Sequence, residues 1–122
     1  MGYHVVDMDS LEPRPEHESD RRTLQTALDL EHVGLSVYTA EPGEQIPIEY
    51  HYHDVQEELL YVVAGTMHVE TPDGEHTVEE SEVFVAEPKS PHRAFNKANS
   101  EETLRVIAVG GPMIKDGNSY EK

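Results

Sequence analysis

The chain has 122 residues, a formal net charge of −16 from 25 acidic and nine basic residues, and no cysteine. That length suits one domain burying roughly two thirds of its unfolded surface. The missing cysteine excludes disulfides, thiolate catalysis and zinc sites built on sulfur, so any metal ligands must be imidazole and carboxylate. The acidic balance repels phosphate backbones and anionic lipid, which argues against nucleic-acid and membrane partners.

The acids are spread along the chain, and the only lysines are Lys89, Lys97, Lys115 and Lys122. This composition resembles that of proteins from salt-in halophiles. No stretch approaches the roughly 20 apolar residues of a membrane helix. The start lacks the basic-then-apolar order of a signal peptide, and Gly2 is followed by Tyr3, His4, Val5 and Val6 without the Ser or Thr of a myristoylation site, so a cytoplasmic protein is expected.

Residues 1–22 read as a partly flexible N-terminal arm, because "DSLEPRPEHESD" carries two prolines and five acids with almost nothing apolar. The packed body is expected over residues 23–110. "RRTLQTALDL" fits helical spacing through Leu24 and Leu28 and strand spacing through Leu24, Thr26 and Leu28; the strand is preferred. "HVGLSVYTA" places Val33, Leu35, Val37 and Thr39 on one face, and "EPGEQIP" supplies a turn. "ELLYVVA" ends at Gly65, "TMHVET" puts Met67 and Val69 on one face, and "PDGE" turns into "HTVEESEVFVAE". "PKSP" breaks the chain, "HRAFNKA" resumes it, and "TLRVIAV" sets Leu104, Val106 and Ala108 against Thr103, Arg105, Ile107 and Val109. Short strands spaced about ten residues apart, with no long amphipathic helix, predict an all-β sandwich or barrel. The tail, residues 111–122, reads as irregular, with Pro112, Met113 and Ile114 available to pack on a neighbouring subunit.

The chemistry gathers in "HYHDVQEELLYVVAG", residues 51–65. Strand alternation sends His51 and His53 to one side and Tyr52 to the other. Glu58 shares the parity of Leu60 and Val62, so it faces the interior, and a carboxylate in that company needs a partner. His92 opens a later strand whose alternate positions are Ala94 and Asn96. Three imidazoles and a carboxylate on adjacent strands make a mixed nitrogen and oxygen site for a divalent transition metal. Histidines at a strand mouth can also be solvated without metal, and that is the better reading of His4, His17, His32, His68 and His76. Tyr50, Tyr52 and Tyr61 read as packing or interface aromatics, and Tyr38 and Arg105 as structural residues able to reach a pocket.

These residues resemble the two motifs of the cupin superfamily. "PGEQIPIEYHYHDVQEELLYVVAG" carries His51, His53, Glu58 and Gly65 at the first motif's spacing, with Gly43 two residues further upstream than usual. "SEVFVAEPKSPHRAFN" carries His92 and Asn96 of the second, but Ser81, Glu87 and Lys89 stand where glycine, proline and glycine are usual. The resemblance runs from about residue 33 to residue 109. It implies a small antiparallel β-barrel, the double-stranded β-helix or jelly roll, with one metal held by His51, His53, Glu58 and His92; Asn96 reads as structural or supporting. Iron, manganese, nickel, cobalt, zinc and copper all suit such ligands.

The activity implied first is a metal-dependent enzyme acting on a small organic molecule, dioxygenase-like, with an aliphatic lining from Leu60, Val62, Val83 or Phe84. A sugar isomerase or epimerase is the alternative, weakened because Lys89 and Arg93 are the only cations near His92 in sequence. A third reading is a module that binds or senses a metal or metabolite without turnover. Pairing through outer strands implies a homodimer.

Overall fold

The alternation in the sequence resolves into ten strands in the computed structural model, which describes residues 2–15 and 18–120. They are β1 (Asp20–Thr23), β2 (Gly34–Ala40), β3 (Gln45–His53), β4 (Glu57–Ala64), β5 (Met67–Thr71), β6 (Gly74–Val78), β7 (Val83–Ala86), β8 (His92–Phe95), β9 (Leu104–Gly111) and β10 (Gly117–Ser119). Two five-stranded sheets, ordered β1-β2-β9-β4-β7 and β10-β3-β8-β5-β6, pair antiparallel throughout and make the double-stranded β-helix expected. No helix among the described residues is long and apolar enough to cross a membrane.

The two sheets meet through residues of one parity. Tyr38, Ala40, Ile46, Leu60, Val62, Met67, Val69, Val78, Ala94, Leu104 and Val106 form the core. Ile46 and His51 both face inward although they stand five positions apart, a spacing that plain alternation would send to opposite faces. The register of β3 against β8 shifts between those two residues in a bulge of the ladder. That bulge is what aims the histidine pair into the barrel. Gly65, with φ +85°, closes the turn after β4 where a Cβ would lie 2.7 Å from the Thr103 carbonyl oxygen.

Three segments depart from the sequence reading. Of "RRTLQTALDL" only residues 21–23 are extended, within β1, which begins inside the expected arm; Leu24–Thr26 turns as a 3-10 helix. Side chains there compete with a ladder, since Thr26 Oγ1 donates to the Thr23 carbonyl at 2.8 Å and Gln25 Oε1 accepts from the Leu35 amide at 3.2 Å. In β7 the expected lining residue Val83 points outward with Val85, because β4 pairs Leu60 with Phe84 and Tyr61 with Val83. Phe84 is the inward member.

The tail also departs: Gly117–Ser119 pairs with β3, Gly117 opposite His53 and Ser119 opposite His51, and so covers an otherwise open sheet edge. Tyr120 continues the contact, its ring 4.9 Å from that of Tyr50 and its amide donating to the Tyr50 carbonyl at 2.9 Å. Met113 packs within the same chain, over the face of Gly34 where a Cβ would collide with it, and Ile114 remains exposed.

Candidate metal centre

Three strands from the two sheets bring the histidines and Glu58 together. His51 and His92 are cross-strand partners on β3 and β8, with ring centroids 4.6 Å apart. His53, two residues on, stands edge-on to His51 at 5.2 Å. Glu58 crosses from β4 in the opposite sheet. Its Oε1 lies 3.2 Å from His92 Nε2, and its Oε2 lies 3.2 Å from His53 Nε2 and 4.0 Å from His51 Nε2. One donor atom each from His51, Glu58 and His92 falls within 4.8 Å of the others. His53 reaches the cluster through Glu58.

The donor chemistry fits a cation. His92 Nδ1 lies 3.0 Å from the Ser90 carbonyl oxygen and His53 Nδ1 lies 2.9 Å from Asp116 Oδ1. Both acceptors require the ring to donate from Nδ1, which leaves the Nε2 lone pair of each neutral ring facing a carboxylate oxygen. Two acceptors at 3.2 Å repel unless a proton or a metal ion lies between them. In the metal-free chain protons play that part. Burial pushes the Glu58 carboxyl up, but the surrounding imidazoles of His51, His53 and His92 outweigh it and hold the group well below the usual carboxylate range. His53 is raised by its hydrogen bond to Glu58 and, against burial, by that to Asp116. Burial pushes His92 down, and the hydrogen bond and charge of Glu58 overcome it to leave a net rise. A divalent ion would replace those protons, with His51, His53, Glu58 and His92 as its candidate ligands.

Beside Glu58 lies a cavity of about 230 Å³ lined by residues of both sheets and by the tail, among them Arg21, Gln25, Tyr38, Gln56, Leu60 and Met113. Tyr38 is buried, and that burial, opposed by the charge of Arg21, raises its hydroxyl to about 12, so it remains a neutral donor. The Arg21 guanidinium stands 5.7 Å from the Tyr38 ring centroid. Sequence reasoning noted Tyr38 but not Arg21 and Gln25, which sit in a segment without a motif, nor Gln56, which stands at an unspecified position between the motif residues His53 and Glu58.

The other residues singled out by sequence fall elsewhere. Asn96 is buried away from the cluster, donating to the Ala40 and Glu102 carbonyls at 3.0 and 2.8 Å, and so ties the end of β2 to the loop before β9. Arg105 faces outward, 3.6 Å from Asp9. Arg93 pairs with Glu70 at 3.3 Å and lies over the Phe95 ring. Ser81 and Lys89, which replace two motif glycines, both adopt the left-handed backbone, with φ of +70° and +65°. The loops therefore retain the conformation that glycine adopts without strain. His4, His32 and His76 are exposed, as expected; His68 is not, being paired with Glu75 at 3.2 Å, and His17 lies outside the described residues. Asp116 was missed altogether: it precedes a strand of Gly, Asn and Ser that carries no apolar signal.

Comparison with known proteins adds four findings. The family model described as "Cupin domain" matches residues 36–110. The polyketide synthase CurC of Streptomyces cyaneus is 32% identical over 107 residues, covering 84% of this chain and 66% of CurC, so the chain spans just under two thirds of that relative. Among solved structures, the polyketide cyclase RemF of Streptomyces resistomycificus superposes with a TM-score of 0.80 at 18% identity, over 99% of this chain and 87% of RemF. A cupin-superfamily sugar phosphate isomerase of Silicibacter pomeroyi gives 0.75 at 22% identity, over 88% and 74%. At those identities the two structures speak for the fold alone.

Proposed function

The chain belongs to the cupin family, and from that premise we propose that it is a metal-binding enzyme acting on a small, oxygen-rich, enolisable organic molecule, of the kind a polyketide cyclase handles. The observation that carries the reading is the cavity of about 230 Å³ that has Glu58 in its wall and two neutral or cationic donors, Tyr38 and Arg21, beside it. In a 1,3-dicarbonyl compound an α-hydrogen leaves as a proton to solvent and its electron pair moves onto a carbonyl oxygen. The carbon then attacks a second carbonyl of the same molecule to close a ring, and that carbonyl's π pair moves onto its oxygen, which takes up a proton from solvent. A bound divalent metal would supply Lewis-acid stabilisation of the oxygen's charge. Tyr38, protonated at any physiological pH, donates a hydrogen bond to such an oxygen, and Arg21 adds positive charge nearby. Leu60, Ala108 and Met113 exclude water from the apolar part of the substrate.

The test uses 2,4-pentanedione in deuterated buffer with protein loaded with zinc, manganese or iron in turn. Deuterium uptake at the central carbon above the buffer rate, lost in a His51→Ala/His53→Ala variant, is the expected result. No acceleration with any metal would remove the enolisation reading. Oxygen consumption by the iron form would instead favour the dioxygenase that the motif first implies. A shift in melting temperature with no turnover would favour a binding module. The sugar phosphate isomerase reading is the weaker one, since Arg21 is the one cation among the cavity residues described and a phosphate would need more.

A homodimer is part of the proposal. On the outer face of the first sheet Leu59, Tyr61, Val63, Val83 and Val85 are each between 40% and 51% exposed, a larger apolar surface than scattered single residues make. Light scattering should give twice the monomer mass, more completely at high salt, where the repulsion between chains of charge −16 is screened. A monomer at every salt concentration would dispose of it.

A further inference from the structure

The tail strand does more than cover an edge. Asp116 is fixed by three contacts around the histidine cluster: Oδ2 accepts from the Val55 and Gln56 amides at 2.7 and 2.8 Å, and Oδ1 accepts from His53 Nδ1 at 2.9 Å. The backbone pairing that puts Gly117 opposite His53 brings the carboxylate to the ring, while Asn118 Nδ2, donating to the Asp116 carbonyl at 2.9 Å and to Asp54 Oδ2 at 3.0 Å, adds to the anchoring of the tail without touching the carboxylate or the ring.

We propose that Asp116 is a positioning residue of the metal centre, holding His53 in the Nδ1–H tautomer so that Nε2 is free to ligate a divalent metal. The proposal rests on reading the cluster as a metal centre. A carboxylate that accepts from the far nitrogen of a histidine fixes both the tautomer and the ring orientation, and raises the basicity of the ligating nitrogen. Here the same carboxylate is pinned by two backbone amides, so the ring has little freedom to turn. The metal site thus recruits a residue from the C-terminal tail, 63 positions from the histidine it orients.

Asp116→Asn tests this in the full chain. The carboxamide oxygen still accepts from the Val55 and Gln56 amides, while its NH₂ turns toward His53 and calls for an acceptor there. Nitrogen NMR on metal-free protein, at a pH where the ring is neutral, should show His53 protonated on Nδ1 in the wild type and on Nε2 in the variant. Zinc affinity, from competition with a chelating dye, should fall about 10- to 100-fold. Asn118→Ala is the control, loosening the tail without changing the ring's partner, and should leave the tautomer unchanged and zinc affinity within about threefold. An unchanged tautomer in Asp116→Asn would overturn the proposal, as would an equal loss of zinc affinity in both variants, which would make Asp116 only an anchor for the tail. A tautomer switch in a protein that binds no zinc in either form would uphold the positioning of His53 and overturn the metal centre.

Discussion

The two ends of the barrel interior are built by the same alternation of inward residues on the same strands, yet they differ in what holds them together. Along β4, Leu60 and Val62 lead into a dry cluster with Met67, Val69, Leu104 and Val106, while Glu58 leads into three imidazoles. The dry end is stable on its own, because apolar burial needs no partner of fixed charge. The polar end is conditional: its carboxylate and imidazoles tolerate burial only with protons or a metal between them. One strand thus carries the stability of the fold at one end and its chemistry at the other.

The strongest way to break this comparison is to truncate each end. Leu104 is fully buried, and Leu104→Ala should lower unfolding free energy by about 2–5 kcal/mol with or without metal. His51→Ala/His53→Ala should abolish zinc binding while costing the metal-free protein less than Leu104→Ala does. Urea unfolding of both, with chelator and with zinc, checks the pair. A metal-free double variant as unstable as Leu104→Ala would mean the cluster is structural.

Proton linkage sharpens the comparison next. His53 and His92 are raised above their ordinary 6.5 in the folded chain, so their contribution is complete below pH 6.5 and is lost as pH rises through the folded values. Glu58 is depressed below its ordinary 4.5, so its contribution is present above pH 4.5 and is lost as pH falls through the folded value. The groups that face one another here are His51 and His53 from β3, Glu58 from β4, His92 from β8 and Asp116 from the tail. Metal-free protein should therefore be most stable between about pH 4.5 and 6.5 and weaken above that window. Zinc at a hundredfold excess over its Kd should restore about 2.7 kcal/mol on the alkaline side, where protons no longer compete. Melting curves across pH, with and without zinc, measure this; a metal-free protein that gains stability above pH 6.5 would contradict the protonated cluster.

What the sequence disclosed follows the same division. Where polar and apolar residues alternate, parity placed Glu58, Leu60, Val62, His92 and Ala94 on the inner face and put His51 and His53 on one side together, but the register shift in β3 is what turns that side inward. Where contrast is absent it could not choose: "VFVA" is apolar at every position, and only pairing with β4 sends Val83 out and Phe84 in. The outward apolar row of β4 and β7 was unreadable for the same reason. Tail residues 116–120 were opaque because their order comes from backbone pairing and one carboxylate, and neither leaves a hydrophobic pattern. Arg21 and Gln25 enter the cavity through a strand and a turn whose side-chain hydrogen bonds defeat simple periodicity.

The smallest expected effect comes from the two left-handed residues, one at each end of the barrel. Ser81 lies at the dry end, its amide donating to the Val62 carbonyl at 2.9 Å, and Lys89 lies at the polar end, its amide donating to the His53 carbonyl at 2.6 Å. Each carries a Cβ in a conformation that costs about 1 kcal/mol for a residue other than glycine. Part of that gain is returned when glycine frees the unfolded chain, so Ser81→Gly and Lys89→Gly should each stabilise by only about 0.5 kcal/mol. Their distinction lies in the metal. Ser81→Gly should shift the melting temperature of the metal-free and zinc-loaded forms alike, because nothing at that turn touches the histidines. Lys89→Gly relaxes the backbone that holds the His53 carbonyl, so its shift should differ between the two forms. Equal shifts from both variants, with and without zinc, would mean that the turn beside His53 does not communicate with the cluster.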